Sequence, residues 1–333
     1  MNFLFCSVGR RVELIKDFRK TLSPTDRIIA TDISILAPAI YYADKYYIVP
    51  PISSPDYIQV LLEICRKESI RAVTTLIDPE ISILSSNRDI FFNAGVEVLA
   101  PTQKTAQLCF DKYQMYLFLK EHNIPTAITY HSYLDFEAHH EKDNVDFPVF
   151  IKPRTGSGSV GARKIYSDVE LRRACLEDTS LIIQQFMDGI DLDADVYVDT
   201  ISHQAVSAFS KKKLETKIGG ASKTISFKDP KLFDLICRIT NILAFSGPID
   251  MDFFYKDGVY YLSEINPRFG GAYLHAYGAG IDFIKLIINN LNGIQNQPVF
   301  GNYDEGVAML MYDSVVICKP NEIEANENSN IDQ

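Results

Sequence analysis

The pattern of apolar and polar positions over the first hundred residues alternates between two periods. Short apolar runs are separated by stretches in which apolar side chains recur every three or four residues. The runs predict strands over NFLFCSV, RIIATD, RAVTTLI and VEVLA, and the stretches predict helices over 11–22, 57–67 and 80–93. This βαβαβ order predicts a parallel sheet with helices on both faces. Ligands gather at the carboxyl ends of such strands, where residues 7–11 and Asp32 lie.

A different pattern follows Pro101. Helix signals over 105–122 end before Pro125, and a polar stretch covers 137–146. Strand signals then dominate, in FPVFIKPRTGSGSVGARKIYSD, SLIIQQFMDG, LDADVYVDT, AVSAFSK, 223–227, PIDMDFFYKDG and VYYLSEINP. Helices are predicted over 169–176, 231–243 and 281–291. The tail after Cys318 is acidic, rich in Asn and without an apolar period, so we predict that it is disordered.

Composition narrows the class of protein. The chain has 333 residues, enough for two or three domains, with 47% hydrophobic and 23% charged residues. No run of about 18 apolar residues predicts a membrane span, and the N-terminal charge follows the apolar run, unlike a signal peptide. Six cysteines without CxxC spacing are typical of reduced thiols in a cytoplasmic protein. The net charge of −10, without a basic stripe, disfavours nucleic-acid binding.

A glycine-rich segment is the first candidate site. Its G-x-G-x-x-G glycines are Gly156, Gly158 and Gly161. A strand follows them instead of a helix, and no G-K-[ST] is present, so we predict a hairpin that folds over nucleotide phosphates. Ser157 and Ser159 would add hydroxyl donors, and Lys152 on the entering strand would add a positive charge. An ordinary Gly-Ser hairpin with a solvated lysine is the alternative.

The segment IIQQFMDGIDLDADV is the second candidate. Phe186 and Met187 would pack against a purine ring, while backbone groups of the segment would reach the edge of that ring. Asp191, beyond the Asp-Gly turn, would accept hydrogen bonds from ribose hydroxyls. A plain hairpin with apolar core residues explains the same letters.

A predicted hairpin through 256–258 carries the third candidate. Asp250 and Asp252 alternate on one strand, and Glu264 and Asn266 alternate on the next, so each pair shares a face. Asp252, Glu264 and Asn266 would converge as oxygen ligands for Mg²⁺. Arg268 follows, suited to a phosphoryl oxygen. Without a cation, carboxylates that face each other across a hairpin repel.

Taken in order, the motifs resemble the ATP-grasp superfamily, and within it the carbamoyl-phosphate-synthase-like and carboxylate–amine ligase members. The resemblance rests on FDKYQMYLFLKEHNIPT, FPVFIKPRTGSGSVGARKI, IIQQFMDGIDLDADVYVD and PIDMDFFYKDGVYYLSEINPRFGG, and it extends from about 101 to 291. It implies an α/β protein with an N-terminal parallel-sheet pre-ATP-grasp domain at 1–101. A two-subdomain, α+β ATP-grasp fold would follow at 102–300, with its lid at about 125–187, and then a C-terminal extension at 301–333.

The resemblance also implies roles for individual residues. Lys112 and Lys152 match the two lysines that bind ATP phosphates, and Gly156, Ser157, Gly158, Ser159 and Gly161 match the phosphate loop. Gln185, Phe186 and Met187 match the hinge around adenine, although the family usually has Glu where Gln185 stands. Asp191 matches the ribose-binding acid, and Asp252, Glu264 and Asn266 match the metal ligands. Arg268, with Lys152, matches the catalytic cations.

The implied function is an ATP-dependent ligase. It would use ATP and Mg²⁺, or Mn²⁺ in its place, to activate a carboxylate as an acyl phosphate and join it to an amine or amino acid. The implied partners are these small molecules and a second copy of the chain, with no nucleic acid and no membrane. Phosphoryl transfer of the carboxyphosphate or carbamoyl-phosphate type, and a nucleotide-binding regulatory protein, are the alternatives. Candidates around the acceptor are Arg10, Lys217, Arg268, His275 and Tyr277.

Overall fold

The computed structural model describes residues 1–156, 158, 161–217 and 220–317. Three sheets of five, six and four strands organise these residues. Ser157, Ser159 and the tail predicted to be disordered lie outside the described residues.

The N-terminal domain is built on the five-stranded sheet, which is parallel with the strand order β3-β2-β1-β4-β5. Its strands are β1 (Asn2–Cys6), β2 (Arg27–Asp32), β3 (Lys45–Ile48), β4 (Ile70–Thr75) and β5 (Glu97–Val98). Its helices are α1 (Val12–Thr21), α2 (Tyr57–Lys67), α3 (Asp78–Ser86) and α4 (Arg88–Asn93), with a 3₁₀ turn at Pro38–Tyr42. The predicted parallel sheet is confirmed.

Two details of this domain differ from the sequence prediction. The helix predicted over 80–93 is two helices, because the chain leaves helical geometry at Asn87. Strand β3 was not predicted, because all four of its residues are partly exposed and no apolar run marks it.

A break at Asp111 divides the helix predicted over 105–122. The structure has α5 (Gln103–Phe110) and α6 (Lys112–Glu121). The backbone of Asp111 is extended, and its carboxylate accepts hydrogen bonds from the backbone N–H groups of Tyr113 (3.1 Å) and Gln114 (3.0 Å). Asp111 is therefore the N-cap of a new helix. Lys112 becomes the first residue of that helix.

The small sheet has four strands in the order β6-β9-β7-β8. Its strands are β6 (Thr129–Tyr130), β7 (Val149–Pro153), β8 (Arg163–Ile165) and β9 (Leu181–Gln185), covered by α7 (Tyr133–His139) and α8 (Asp168–Glu177). It has a hydrophobic cluster of its own, including Phe136, Ile151 and Leu171. The sequence prediction contained no α7, whose start is fixed by the side chain of Ser132 accepting from the N–H of Asp135.

The central sheet has six antiparallel strands in the order β14-β13-β10-β11-β12-β15. Its strands are β10 (Ile190–Val198), β11 (Ala205–Lys217), β12 (Gly220–Phe227), β13 (Gly247–Lys256), β14 (Val259–Asn266) and β15 (Ala308–Leu310). Its helices are α9 (Pro230–Ile242), α10 (Tyr273–Gly278) and α11 (Phe283–Leu291). The alternation of side chains along β10, β13 and β14 places one set in the core and the other toward the candidate site.

One hydrophobic core joins the N-terminal domain to the central sheet. Phe3, Phe5 and Phe18 belong to the same buried cluster as Phe269 and Tyr273. The rings of Phe18 and Phe269 meet edge to face, with centroids 5.6 Å apart. This packing fixes the carboxyl ends of β1 and β4 over the central sheet. Among the described residues, no helix is both long and apolar enough to span a membrane.

Candidate active site

A cavity of about 890 Å³ lies where the three sheets meet. The N-terminal domain lines it with Arg11 and residues 76–78, the small sheet with Lys152 and Gly156, and the central sheet with residues on β10, β11, β13 and β14. Its size falls within the range of cofactor and substrate sites, about 300–1,000 Å³.

The predicted metal ligands converge on this cavity. Strand register places Asp252 opposite Glu264, and Asp250 opposite Asn266. Asp252, Glu264 and Asn266 all line the cavity. Two carboxylates and an amide oxygen on one face are hard ligands of the kind that Mg²⁺ prefers, and opposed carboxylates need a cation between or beside them. The donor set therefore fits the ion that the sequence predicts.

Two lysines neutralise these carboxylates in the structure. The ammonium of Lys213 is ion-paired with Asp252 and lies 3.0 Å from Asp191. Lys112 lies 3.5 Å from Glu264 and donates a hydrogen bond of 2.6 Å to the carbonyl of Gly156. Sequence reasoning missed Lys213, although its place in the KKK run of β11, across the sheet from acidic β10, was a usable signal.

Lys152 is one of the least exposed cations at the site. It is 8% exposed, and it has no hydrogen bond or ion pair with any residue that the structure describes. Burial lowers the pKa of Lys152 below its ordinary value, Glu264 opposes this shift, and Lys112 adds to it. An anion in the cavity would stabilise the charged ammonium.

The three glycines of the glycine-rich segment have positive φ angles. Gly156, Gly158 and Gly161 have φ values of 108°, 73° and 75°, a region open to glycine but strained for other residues. Gly156 and Gly158 line the cavity. Gly161 instead packs near Pro153, and the flanking Ser157 and Ser159 are outside the described residues.

The residues of the predicted adenine hinge do not line the cavity. Gln185 ends β9, and Met187 is buried. The Nζ atom of Lys164 lies 3.6 Å from the ring centroid of Phe186. Gln185, Phe186 and Met187 are not among the described residues that line the cavity, whereas Asp191 is. Contact of the hinge with a nucleotide stays a prediction.

Arg268 lines the cavity and links two domains. Its Nε lies 2.8 Å from Asp78 at the start of α3, and its Nη1 lies 3.3 Å from Asp250 on β13. Burial opposes the charge of Arg268, but these two carboxylates raise the pKa of the guanidinium above its ordinary value. Asp78 was missed in the sequence, although it follows β4 at the sheet edge where ligands gather.

A buried ionic cluster supports the floor of the site. The carboxylates of Asp193, Asp195 and Asp250 come within 4.8 Å of one another. Lys211 is fully buried, lies 3.2 Å from Asp193 and is ion-paired with Asp195. Burial raises the pKa of Asp195 to about 6, with Lys211 opposing and Asp250 adding to the shift. Lys211 supplies the cation of this cluster from within the chain.

The arginine that faces the cavity from the first domain is Arg11, and the expectation for Arg10 was wrong. Arg10 is exposed, whereas Arg11 lines the cavity beside Gly271. The two side chains are consecutive in the turn after β1, so only the path of that turn decides which one points inward.

Three other acceptor candidates do not line the cavity. His275 is buried beneath the sheet, with its Nδ1 2.7 Å from the hydroxyl of Thr224. Burial lowers the pKa of His275 to about 4, and Lys211 adds to this shift. The hydroxyl of Tyr277 lies 2.9 Å from that of Thr21, and Lys217 is exposed. None of the three is among the described residues lining the cavity.

The paired glycines after β14 let the chain pass directly over the buried cluster. A Cβ on Gly270 would lie 2.7 Å from an oxygen of Asp250 and 2.8 Å from an oxygen of Asp195. A Cβ on Gly271 would lie 3.2 Å from Nη1 of Arg11. Larger residues here would displace the side chains of Asp195, Asp250 and Arg11.

We expect Gly270→Ala to lower the free energy of unfolding by about 1–3 kcal/mol, because the new methyl group must push apart side chains held by ion pairs. Urea unfolding followed by circular dichroism measures the change. Gly278→Ala is the matched control: a Cβ there meets nothing within 4 Å, so its stability should be unchanged or raised by up to about 1 kcal/mol. Equal effects of the two substitutions would contradict the crowding at Gly270.

Family models match the two parts of the chain. A model described as an ATP-grasp domain matches residues 109–272. A model described as a PylC-like N-terminal domain matches residues 3–99.

Curated relatives are similar to parts of the chain. The C-terminal section of the carbamoyl phosphate synthase large chain of Methanocaldococcus jannaschii is 27% identical over 252 residues, covering 71% of this chain and 40% of the relative. The phosphoribosylamine–glycine ligase of Neisseria meningitidis is 31% identical over 156 residues, covering 42% and 35%. A D-alanine–D-alanine ligase of Nitratiruptor is 32% identical over 157 residues, covering 41% and 46%. The chain spans less than half the length of these relatives.

Solved structures share the fold. The biotin carboxylase domain of 2-oxoglutarate carboxylase from Hydrogenobacter thermophilus has a TM-score of 0.72 at 15% identity, covering 92% of this chain and 73% of that one. N5-carboxyaminoimidazole synthetase from Staphylococcus aureus has a TM-score of 0.70 at 15% identity, covering 90% and 78%.

The matches to the two family models identify the chain as an α/β protein with an ATP-grasp domain. It belongs to the ATP-grasp superfamily, with a PylC-like domain preceding the grasp.

Proposed function

We propose that the chain is an ATP-dependent ligase, which activates a carboxylate as an acyl phosphate and joins it to an amine or amino acid. One observation carries this proposal: oxygen ligands on β13 and β14 share a single cavity with Lys112 and Lys152. Two of the named relatives are themselves ligases, which supports the reaction class.

We assign the nucleotide to the side of the cavity that the small sheet bounds. Lys152 and Lys112 would bind phosphate oxygens, and the backbone of Gly156 and Gly158 can approach them closely. Asp252, Glu264 and Asn266 would hold Mg²⁺, which would neutralise phosphate charge. The H. thermophilus structure contains MgADP, which supports ATP and Mg²⁺ for this chain.

The reaction proceeds in two displacements. A carboxylate oxygen of the acid attacks the γ-phosphorus of ATP, the bond from that phosphorus to the β,γ-bridging oxygen breaks, and ADP leaves. The amine nitrogen then attacks the carbonyl carbon of the acyl phosphate, inorganic phosphate leaves, and the nitrogen loses a proton. The chain contributes position and charge, with Arg268 held at a fixed angle by Asp78 and Asp250.

We also propose the substrates, the cellular location, the assembly and the domain boundaries of the protein. The substrates are a small carboxylic acid and an amine, and the chain is assigned to the cytoplasm as a homodimer. The division at residue 101, and a lid at about 125–187 formed by the small sheet, agree with the strand grouping.

Phosphate release from Mg-ATP tests the proposal. Purified protein would be screened against pools of amino acids and small carboxylic acids, with and without ammonia. Release that requires both an acid and an amine would support a ligase and name its substrates. Tight ATP binding without release in any pool would contradict the proposal.

A further inference from the structure

We propose that Arg11 is the anion-binding residue of the acceptor end of the cavity, and that it holds a carboxylate group of the substrate. This inference rests on the proposed ligase function and names the substrate group that this end of the cavity recognises.

Unpaired cations point to where anions bind. The cations that line the cavity are Arg11, Lys112, Lys152, Lys213 and Arg268. Three of them have ion pairs within the chain, but Arg11 and Lys152 have neither a hydrogen bond from the side chain nor an ion pair among the described residues. Within the part of the chain that the structure describes, the cavity therefore has two cationic groups without a partner.

These two cations belong to different ends of the cavity. Lys152 lies on β7 of the small sheet, where Glu264, Lys112 and Asp252 are the charges that influence it. Arg11 comes from the N-terminal domain and is influenced by Arg268, Asp250, Asp78 and Asp195. Lys152 is next to the predicted phosphate site, so Arg11 is left for the acceptor.

The turn that carries Arg11 is held rigidly. Ser7 has a positive φ of 51°, and its hydroxyl donates a hydrogen bond of 2.7 Å to Glu80, which is fully buried. The N–H of Gly9 donates to the carboxylate of Asp32 at 2.8 Å. These contacts fix the backbone immediately before Arg11, and a fixed backbone reduces the entropy lost when a ligand binds.

Burial disfavours the charge on Arg11. Burial lowers the pKa of Arg11 to about 10, and Arg268 adds to this shift, while Asp250, Asp78 and Asp195 oppose it. A carboxylate can accept two parallel hydrogen bonds from a guanidinium and would satisfy donors that have no partner among the described residues. The glycine at 271 leaves the space beside Nη1 clear.

The surrounding charges favour a carboxylate over a phosphate. Two guanidiniums, Arg11 and Arg268, stand among the carboxylates of Asp78, Asp195 and Asp250. At Arg11 these acids favour a ligand with a single negative charge, which one fork of donors can meet, and Arg268 remains for the phosphoryl group.

Thermal unfolding with and without ligand pools tests the inference. Protein with Mg²⁺ and a non-hydrolysable ATP analogue would receive amino acids and small carboxylic acids, or matched amines that lack a carboxylate. Wild type should be stabilised by the carboxylates and not by the amines. Arg11→Gln should require roughly ten-fold more of the carboxylates for the same shift in Tm. Arg11→Lys, which keeps the charge but not the fork, should recover part of the response.

Arg10→Gln is the matched control, because Arg10 is the exposed neighbour and should respond as wild type does. Without carboxylates, Arg11→Gln should unfold at the same temperature as wild type or higher, and its Kd for Mg-ATP should stay within about two-fold. A wild-type response in Arg11→Gln, equal stabilisation by amines, or a roughly ten-fold loss of ATP affinity would overturn the inference. The inference would also be overturned if no carboxylate raised the Tm of the wild type.

If the assignment of Arg11 is right but the proposed ligase function is wrong, the two experiments give different answers. In that case the carboxylates would stabilise the protein through Arg11, but no pool would support phosphate release from Mg-ATP.

Discussion

Replacing Glu264 by glutamine is expected to lower kcat for phosphate release by about 10²–10³-fold while the fold is kept. Glu264 faces the cavity opposite Asp252 and lies 3.5 Å from Lys112. The amide keeps the size of the side chain but removes the charge that would hold Mg²⁺. Its oxygen remains a weaker ligand, so nucleotide binding should weaken less than turnover falls.

Steady-state phosphate release and circular dichroism measure the two parts of this prediction. Glu63→Gln is the control, since Glu63 is exposed on α2 and far along the chain from the site ligands. Near-wild-type turnover in Glu264→Gln, with Glu63→Gln also active, would remove Glu264 from the site.

Lys211→Met is expected to lower the free energy of unfolding by about 3–5 kcal/mol. Lys211 is fully buried and pairs with Asp193 and Asp195. Burial opposes its charge, but the surrounding carboxylates raise the pKa of Lys211 above its ordinary value. Methionine fills the space and leaves those carboxylates without their cation.

Urea unfolding at neutral and acidic pH measures this loss. The pKa of Asp195 is already raised to about 6, and removing Lys211 must raise it further. A group with a raised folded-state pKa loses its contribution as pH rises, so the deficit of the variant should shrink as pH falls.

Two further variants make the Lys211 test specific. Lys212→Met, at the neighbouring position on the opposite face of β11, should change stability by less than about 1 kcal/mol. Adding Asp195→Asn to Lys211→Met should restore part of the loss, because one buried charge is removed. A pH-independent deficit without rescue would show that lost packing, and not charge, explains the effect.

Local patterns predicted much of the fold and part of the site. Apolar runs were enough to predict the parallel sheet from β1, β2 and β4, which are mostly buried, but not its partly exposed strand β3. The oxygen ligands could be found because alternation along two strands, joined by a short hairpin, sets Asp252 opposite Glu264. Resemblance added Lys112, which no local pattern had marked.

Contacts between distant segments could not be predicted in the same way. Arg268 pairs with Asp78, which is 190 residues away in sequence. Arg10 and Arg11 are chemically equivalent in the sequence, and the turn after β1 alone selects Arg11. The break at Asp111 depends on a side chain capping its own backbone, and a cap inside a continuous apolar period gives a weak signal.

If a carboxylate receives the γ-phosphoryl group, one of its oxygen atoms must end in the phosphate that is released, and an oxygen isotope can follow that atom. The acid found by the phosphate-release screen would be labelled with ¹⁸O in its carboxyl group and incubated with Mg-ATP and the amine. We predict ADP as the nucleotide product and one ¹⁸O atom in each inorganic phosphate, because the bridging oxygen of the acyl phosphate leaves with phosphorus. Unlabelled phosphate, or AMP as the product, would contradict it.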